Sequence, residues 1–186
     1  MQRLVFGITG ASGAVYSKKI LEKLSGLNIS VLLLASKNGR EIFKEENGIE
    51  LSDFVKKFDN ITLEDENNFF SPIASGGNCF DILVCPASMG FLGRVASGVS
   101  GTLLERAIDV ALKERRKVLI AVRESPYNLI HLENMLKVAK AGGIIMPLSP
   151  FFYFKPQTID ELVESFSDRI LKVILDTYEP SKRWGG

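Results

Sequence analysis

The chain has 186 residues, the size of one domain at roughly 100–200 residues each. Its 46% hydrophobic and 24% charged residues exclude a disordered chain. Twenty-three Lys+Arg against 22 Asp+Glu leave a formal charge of +1, so no general field gathers nucleic acid or an anionic membrane, and anion selectivity must be local.

In chain order, Met1-Gln2-Arg3 passes straight into a strand-like run at Leu4–Thr9, with no signal-peptide core. Gly7-Ile-Thr-Gly10-Ala-Ser-Gly13-Ala14 follows and opens a helix at Val15–Ser25. A second strand, Ile29–Ala35, ends in Ser36-Lys37 before a helix at Arg40–Glu46. Its apolar run Val31–Ala35 is far shorter than the roughly 18 residues of a membrane span. The stretch Asn47–Ser71 is polar and irregular, with a candidate short helix at Leu51–Phe58 and a solvated loop at Glu64-Asp65-Glu66. Strands are expected at Asp81–Cys85, Val118–Val122 and Ile144–Pro147, and helices at Leu103–Arg115, Leu129–Ala141 and Ile159–Leu175. Thr158 is the expected N-cap of the last helix, whose first turn holds Asp160 and Glu161. Mostly apolar strands alternating with amphipathic segments predict a three-layer, doubly wound parallel sheet of α/β class, one domain over residues 1–186, with its site at the carboxyl ends of the strands.

The strongest local signal is the glycine loop. Following a strand and opening a helix, its Gly and Ser amides can converge on a phosphate at the positive helix end, with Ser12 adding a hydroxyl. The competing reading is a glycine turn that only packs helix on strand. A dinucleotide site expects an acid about 20 residues further on, whereas Ser36-Lys37 stands there. Tyr178 and Lys182 have Tyr-x-x-x-Lys spacing, but Pro180 between them makes one helix presenting both a chance match. His131, the single histidine, reads as a partly buried structural imidazole, and with Cys79 and Cys85 it supplies too few soft ligands for zinc. The two cysteines lack CxxC spacing and read as reduced thiols on or beside a buried strand of a cytoplasmic protein. Cys85-Pro-Ala-Ser88-Met-Gly90 reads as a loop after a strand. Arg106, Asp109 and Lys113 share a helix face that by default is solvated and ion-paired. Arg123, after the Val118–Val122 strand, is either a ligand contact or a rim ion pair.

These pieces together resemble the UbiX flavin prenyltransferases. The matching segments are Gly10-Ala11-Ser12-Gly13-Ala14, Cys85-Pro86-Ala87-Ser88, Glu105-Arg106-Ala107, Asp109 to Arg116, Arg123-Glu124-x-Pro126, His131-Leu132-Glu133-Asn134-Met135 and Pro150-x-Phe152-Tyr153-x-x-Pro156-Gln157, in order from Leu4 to the Arg183-Trp184 tail. The resemblance implies a flavodoxin- or Rossmann-like fold and an enzyme that joins a dimethylallyl group from dimethylallyl monophosphate to N5 and C6 of reduced FMN without a metal. It further implies a dodecameric homo-oligomer, no nucleic-acid or membrane partner, and a UbiD-type decarboxylase that receives the prenylated FMN.

Carried over by motif, Gly10, Ala11, Ser12, Ser36, Ser88, Met89, Gly90, Phe91 and Arg123 are the expected FMN contacts. Tyr153 and Arg169 are expected to hold the prenyl phosphate, with Lys113 presented across a subunit interface and Arg106 in the same helix motif. Glu124, the second member of the Arg-Glu pair, is expected with Lys113 and Arg106 at the prenyl-phosphate substrate. Glu46 aligns with an acid that assists proton transfer, with Glu45 beside it as the alternative. Two departures stand out. Phe91 replaces a hydroxyl residue common in the family, so side-chain contact to the flavin is lost while backbone contact survives. Gly101-Thr102 replaces an acid–amide pair.

Overall fold

The computed structural model describes residues 2–78 and 80–181. Cys79, Lys182 and the Arg183-Trp184 tail lie outside them. Among the described residues six strands form one parallel sheet: β1 (Gln2–Ile8), β2 (Ile29–Ala35), β3 (Ile61–Leu63), β4 (Asp81–Ala87), β5 (Val118–Val122) and β6 (Ile144–Pro147), in the order β3-β2-β1-β4-β5-β6. Seven α-helices, again among the described residues, join them: α1 (Ala14–Ser25), α2 (Lys37–Asn47), α3 (Leu51–Val55), α4 (Met89–Ala96), α5 (Leu103–Lys113), α6 (Leu129–Lys140) and α7 (Ile159–Ile174).

The alternation of strand side chains sorts the helices into two layers. Leu4, Phe6 and Ile8 of β1 pack with Ile20, Leu21 and Leu24 of α1 and Phe166 and Ile170 of α7. Val5 faces the other way, with Leu104 and Ile108 of α5 and Leu92 of α4. The chain leaves β1 for β2 and β3 on one side, then returns to β4 on the other. That reversal opens a crevice at the carboxyl ends of β1 and β4, where doubly wound sheets bind ligands.

Several elements differ from the sequence reading: β4 runs two residues past the expected Cys85, through Ala87, and α3 ends at Val55 rather than Phe58. α4 occupies residues expected to remain loop after Ser88; its two glycines dilute the helical pattern, and burial of Phe91 and Leu92 supplies what propensity does not. β3 lies inside the stretch read as irregular and pairs only with β2. α2 begins at Lys37 rather than Arg40, because the Ser36 side chain accepts from Gly39 N at 3.1 Å and caps the helix. His131 is a structural imidazole: its Nδ1 accepts from Asn128 N (3.4 Å) while Asn128 Oδ1 accepts from His131 N (2.9 Å), closing the first turn of α6. Tyr178 lies beyond α7 and donates its hydroxyl to Asp168, so it serves the packing of α7. Among the described residues no helix is long and apolar enough to cross a membrane.

Candidate active site

Three loops meet at the crevice. The β1–α1 loop crosses from Ile8 to Gly13, whose φ of 109° suits glycine and starts α1. It is held against α2, since a Cβ on Gly10 would stand 2.7 Å from Cβ of Asn38. Gly39 is required for the same closeness, because a Cβ there would stand 2.6 Å from the Ile8 carbonyl oxygen. On the other side Thr9 Oγ1 donates to the Pro86 carbonyl (3.1 Å) and accepts from Ser88 N (2.8 Å). Ser36 and Ser88 are equivalent N-caps: the Oγ of Ser88 accepts from Phe91 N at 3.3 Å and opens α4.

A helix leaves its first amides without intrahelical partners. Among the described residues no hydrogen bond engages N–H of Lys37 and Asn38 at the start of α2, of Met89 and Gly90 at the start of α4, or of Gly10 and Ser12 in the loop between them. Six open donors therefore lie on three adjacent loops, two of which are positive helix ends. This is the chemistry of an anion site.

The start of α1 itself is different. Gly13 N donates to both carboxylate oxygens of Glu46 (3.1 and 3.0 Å), and Ala14 N donates to Oε2 at 2.7 Å. The sequence reading let the Gly and Ser amides of the loop converge on a phosphate; for Gly13 that is corrected, because the Glu46 carboxylate fills the place. Of the two adjacent acids, half-buried Glu46 reaches the loop and Glu45 stays exposed.

Arg123, at the end of β5, donates Nε to the Ser12 carbonyl at 3.3 Å and its backbone N to the Ala87 carbonyl at 3.1 Å. It therefore spans the glycine loop and the β4 end instead of forming a rim ion pair. Glu124 beside it turns back, its Oε1 accepting from Ser125 N (3.0 Å). Ser12 is exposed and Ala11 buried, with Ala11 N bonded to the Thr9 carbonyl (2.8 Å). Met89 and Phe91 are 6% and 3% exposed and pack in the core. Their expected contact with a ligand is thus limited to backbone, and Phe91 N is already spent on Ser88.

The residues expected at the prenyl phosphate are spread more widely. Tyr153 is 48% exposed and stacks on Phe151, with ring centroids 4.5 Å apart. Phe151 in turn packs on Phe166 of α7, at 5.8 Å. Arg169 lies one turn beyond Phe166 and is exposed, so one aromatic cluster docks the Tyr153 loop on the helix that carries Arg169. Arg106 binds the Ala74 carbonyl (3.1 Å) and Asp109 (2.8 Å), the solvated pairing expected of that face. Lys113 pairs with Glu114 at the end of α5, next to the start of β5. That is the edge of the sheet opposite the crevice, so Lys113 does not join its own chain's site.

Cys85, wholly buried in β4, has its thiol pushed up by desolvation, which leaves it a poor nucleophile. Among the described residues no group of three or more His, Cys, Asp and Glu is placed to hold a metal ion. Sequence reasoning missed Thr9, whose partners are 77 and 79 residues away; its place between Gly7 and Gly10 was the available signal.

Comparison with known proteins follows the same lines. The flavoprotein family model matches residues 1–171. The chain is 41% identical to the flavin prenyltransferase UbiX of Aquifex aeolicus, with 100% of each chain covered. Its fold superimposes on AnUbiX in complex with FMN and dimethylallyl pyrophosphate with a TM-score of 0.92, at 35% identity over 100% of this chain and 98% of that one. A dodecameric FMN-dependent UbiX-like decarboxylase from Escherichia coli O157:H7 gives a TM-score of 0.93, at 32% identity and 100% of each chain.

Proposed function

This chain belongs to the flavoprotein family and, within it, to the UbiX flavin prenyltransferases, and we propose that it joins a dimethylallyl group from dimethylallyl monophosphate to N5 and C6 of reduced FMN. The observation that carries this reading is the set of open N–H donors on the three loops after β1, β2 and β4, with Arg123 across from them. That set fits the phosphate and the polar ring edge of a flavin mononucleotide. In this reading Gly10, Ser12 and the start of α2 capped by Ser36 hold the FMN phosphate and ribityl chain. Ser88, the backbone of Met89 and Gly90, and Arg123 hold the ring, with Glu124 steadying the Arg123 turn.

Reduced FMN, as substrate, supplies N5 as nucleophile and C6 as the carbon that closes the new ring. The remaining chemistry belongs to the protein. Breaking the allylic C–O bond leaves negative charge on the departing phosphate. Tyr153, Arg169 and Ser12 supply donors and charge there, joined by Lys113 and Arg106 from a neighbouring subunit. A preorganised donor facing developing charge is worth roughly 2.7–4 kcal/mol, so these groups account for a leaving group activated without a metal. Phe151 and Phe154, packed around Tyr153, shield the reacting carbon from water. The proton released from C6 passes to Glu46, whose carboxylate is fixed beside Ser12 by Gly13 and Ala14, or to the freed phosphate.

Support for assembly comes from α6, where Leu129, Ile130, Leu132 and Leu136 are 50–70% exposed, and from the dodecameric relative. We read the working form as a cytoplasmic homo-oligomer, a dodecamer, that passes prenylated FMN to a UbiD-type decarboxylase. The test is phosphate release: under anaerobic conditions the donor should yield one inorganic phosphate per FMN only when the flavin is reduced. Release that is independent of flavin would make the protein a phosphatase and overturn the reading.

A further inference from the structure

We propose that Thr9 is a positioning residue for flavin recognition, its hydroxyl setting where the Ser88 turn presents its backbone donors; this rests on the FMN reading above. The argument begins with the irregular end of β4. Pairing between β4 and β5 is regular up to Val84 opposite Ile120, then resumes at Ala87 opposite Val122. Two residues of β4 thus stand against one of β5, which is a bulge. Pro86 within it has no N–H to give.

The carbonyls of the bulge are turned to other partners. Cys85 O accepts from Ser17 Oγ at 2.7 Å, Pro86 O from both N and Oγ1 of Thr9 at 3.1 Å, and Ala87 O from Arg123 N at 3.1 Å. Of these partners Thr9 alone also bonds Ser88, its Oγ1 accepting from Ser88 N at 2.8 Å. Thr9 is 3% exposed, with its proton given to Pro86 and a lone pair taken by Ser88, so its hydroxyl serves these two loops rather than a ligand. Ser88 is the N-cap of α4, and its position decides where the open amides of Met89 and Gly90 point. One buried hydroxyl therefore ties the glycine loop to the α4 amides that face the flavin ring, and leaves the Tyr153–Arg169 region untouched.

The experiment is a steady-state comparison of Thr9→Val, Thr9→Ser and Ser17→Ala with the unmodified protein, varying reduced FMN and dimethylallyl monophosphate separately and recording thermal unfolding for each. Valine keeps the β-branched shape but strands the Ser88 N–H. That penalty falls on the free and the bound protein alike, but displacing the Met89 and Gly90 amides loses a contact made only with the flavin, roughly a fivefold change or more, so KM for FMN should rise at least about fivefold, with KM for the donor within twofold. Thr9→Ser should restore FMN binding. Ser17→Ala loses an equally buried hydroxyl on the same bulge but does not touch Ser88. It should lower the unfolding temperature while leaving KM for FMN within twofold. The proposal is overturned if Thr9→Val lowers stability alone, if both KM values rise together, or if Ser17→Ala weakens FMN as much as Thr9→Val does. If Thr9→Val does not fold, Thr9→Ala is read by the same criteria. An unmodified protein that binds no FMN would sink the function reading and this inference with it, an outcome distinct from the other three.

Discussion

Replacing Asp168 by Asn should cost the fold about 3 kcal/mol. Asp168 is 3% exposed on α7, where it meets Lys23 of α1 at 2.8 Å, the Tyr178 hydroxyl, and N and Oγ of Ser181 at 2.9 and 2.6 Å. Burial alone would raise its pKa, but the bonds from Lys23, Ser181 and Tyr178 outweigh it and hold the carboxyl below its usual value of 3.8. Desolvation and then Asp168 push the Tyr178 phenol up to about 12. Breaking one partner out of a buried ion pair costs about 3–5 kcal/mol. Lys23 keeps Glu164 as a second partner, which places the loss at the lower end. For a chain of this length that is roughly 6–12 °C in Tm. Because the folded pKa of Asp168 is depressed, its contribution is fully present above about pH 4 and is lost as pH falls through the folded value. The gap in Tm between the unmodified protein and Asp168→Asn should therefore be widest near neutrality and close in acid, as circular dichroism melts would show. A variant within about 2 °C of the parent at pH 7, or a gap that widens in acid, would refute this account of how α7 is held.

Tyr153→Phe and Arg169→Ala should each retain FMN binding in a fluorescence titration and slow single-turnover prenyl transfer by about a hundredfold or more; unchanged rates would remove both residues from the site. Glu46→Ala strands Gly13 N and Ala14 N at the start of α1 and should lower stability by about 1–2 kcal/mol in urea unfolding, the range of a lost helix cap, while slowing the release of C6-alkylated product; unaltered stability would mean that the carboxylate does not hold the loop. Lys113→Ala should impair prenyl transfer only through assembled protein, so light scattering of the active species must show an oligomer, and a fully active monomer would contradict the assignment of Lys113 to a neighbour's site.

The strands β1, β2, β4, β5 and β6 were legible because parallel strands covered on both faces read as unbroken apolar runs. The glycine loop was legible because its position between a strand and a helix restricts its meaning. α4 was not, since Gly90 and Gly93 obscure a helix whose stability comes from burying Phe91 and Leu92. β3 was not, because three residues at a sheet edge leave too short a pattern to read. At the site, the pattern located Ser36, Ser88 and Arg123 just past strand ends and Ser12 in the glycine loop, where the structure has them. It could not show that Glu46 satisfies the amides of Gly13 and Ala14, or that Thr9 spans two loops, because those bonds join residues 32 to 79 positions apart. Nor could it show that Lys113 lies at the far edge of the sheet, which depends on how α5 runs back between β4 and β5.

The most direct test of the central claim is the mass of the flavin after anaerobic incubation of the purified protein with reduced FMN and dimethylallyl monophosphate. The account predicts FMN heavier by one five-carbon prenyl unit, formed once per active site and absent when either substrate is withheld. Recovery of unmodified FMN alone, from protein shown to bind it, would contradict the account and make this chain a carrier of flavin rather than an enzyme acting on it.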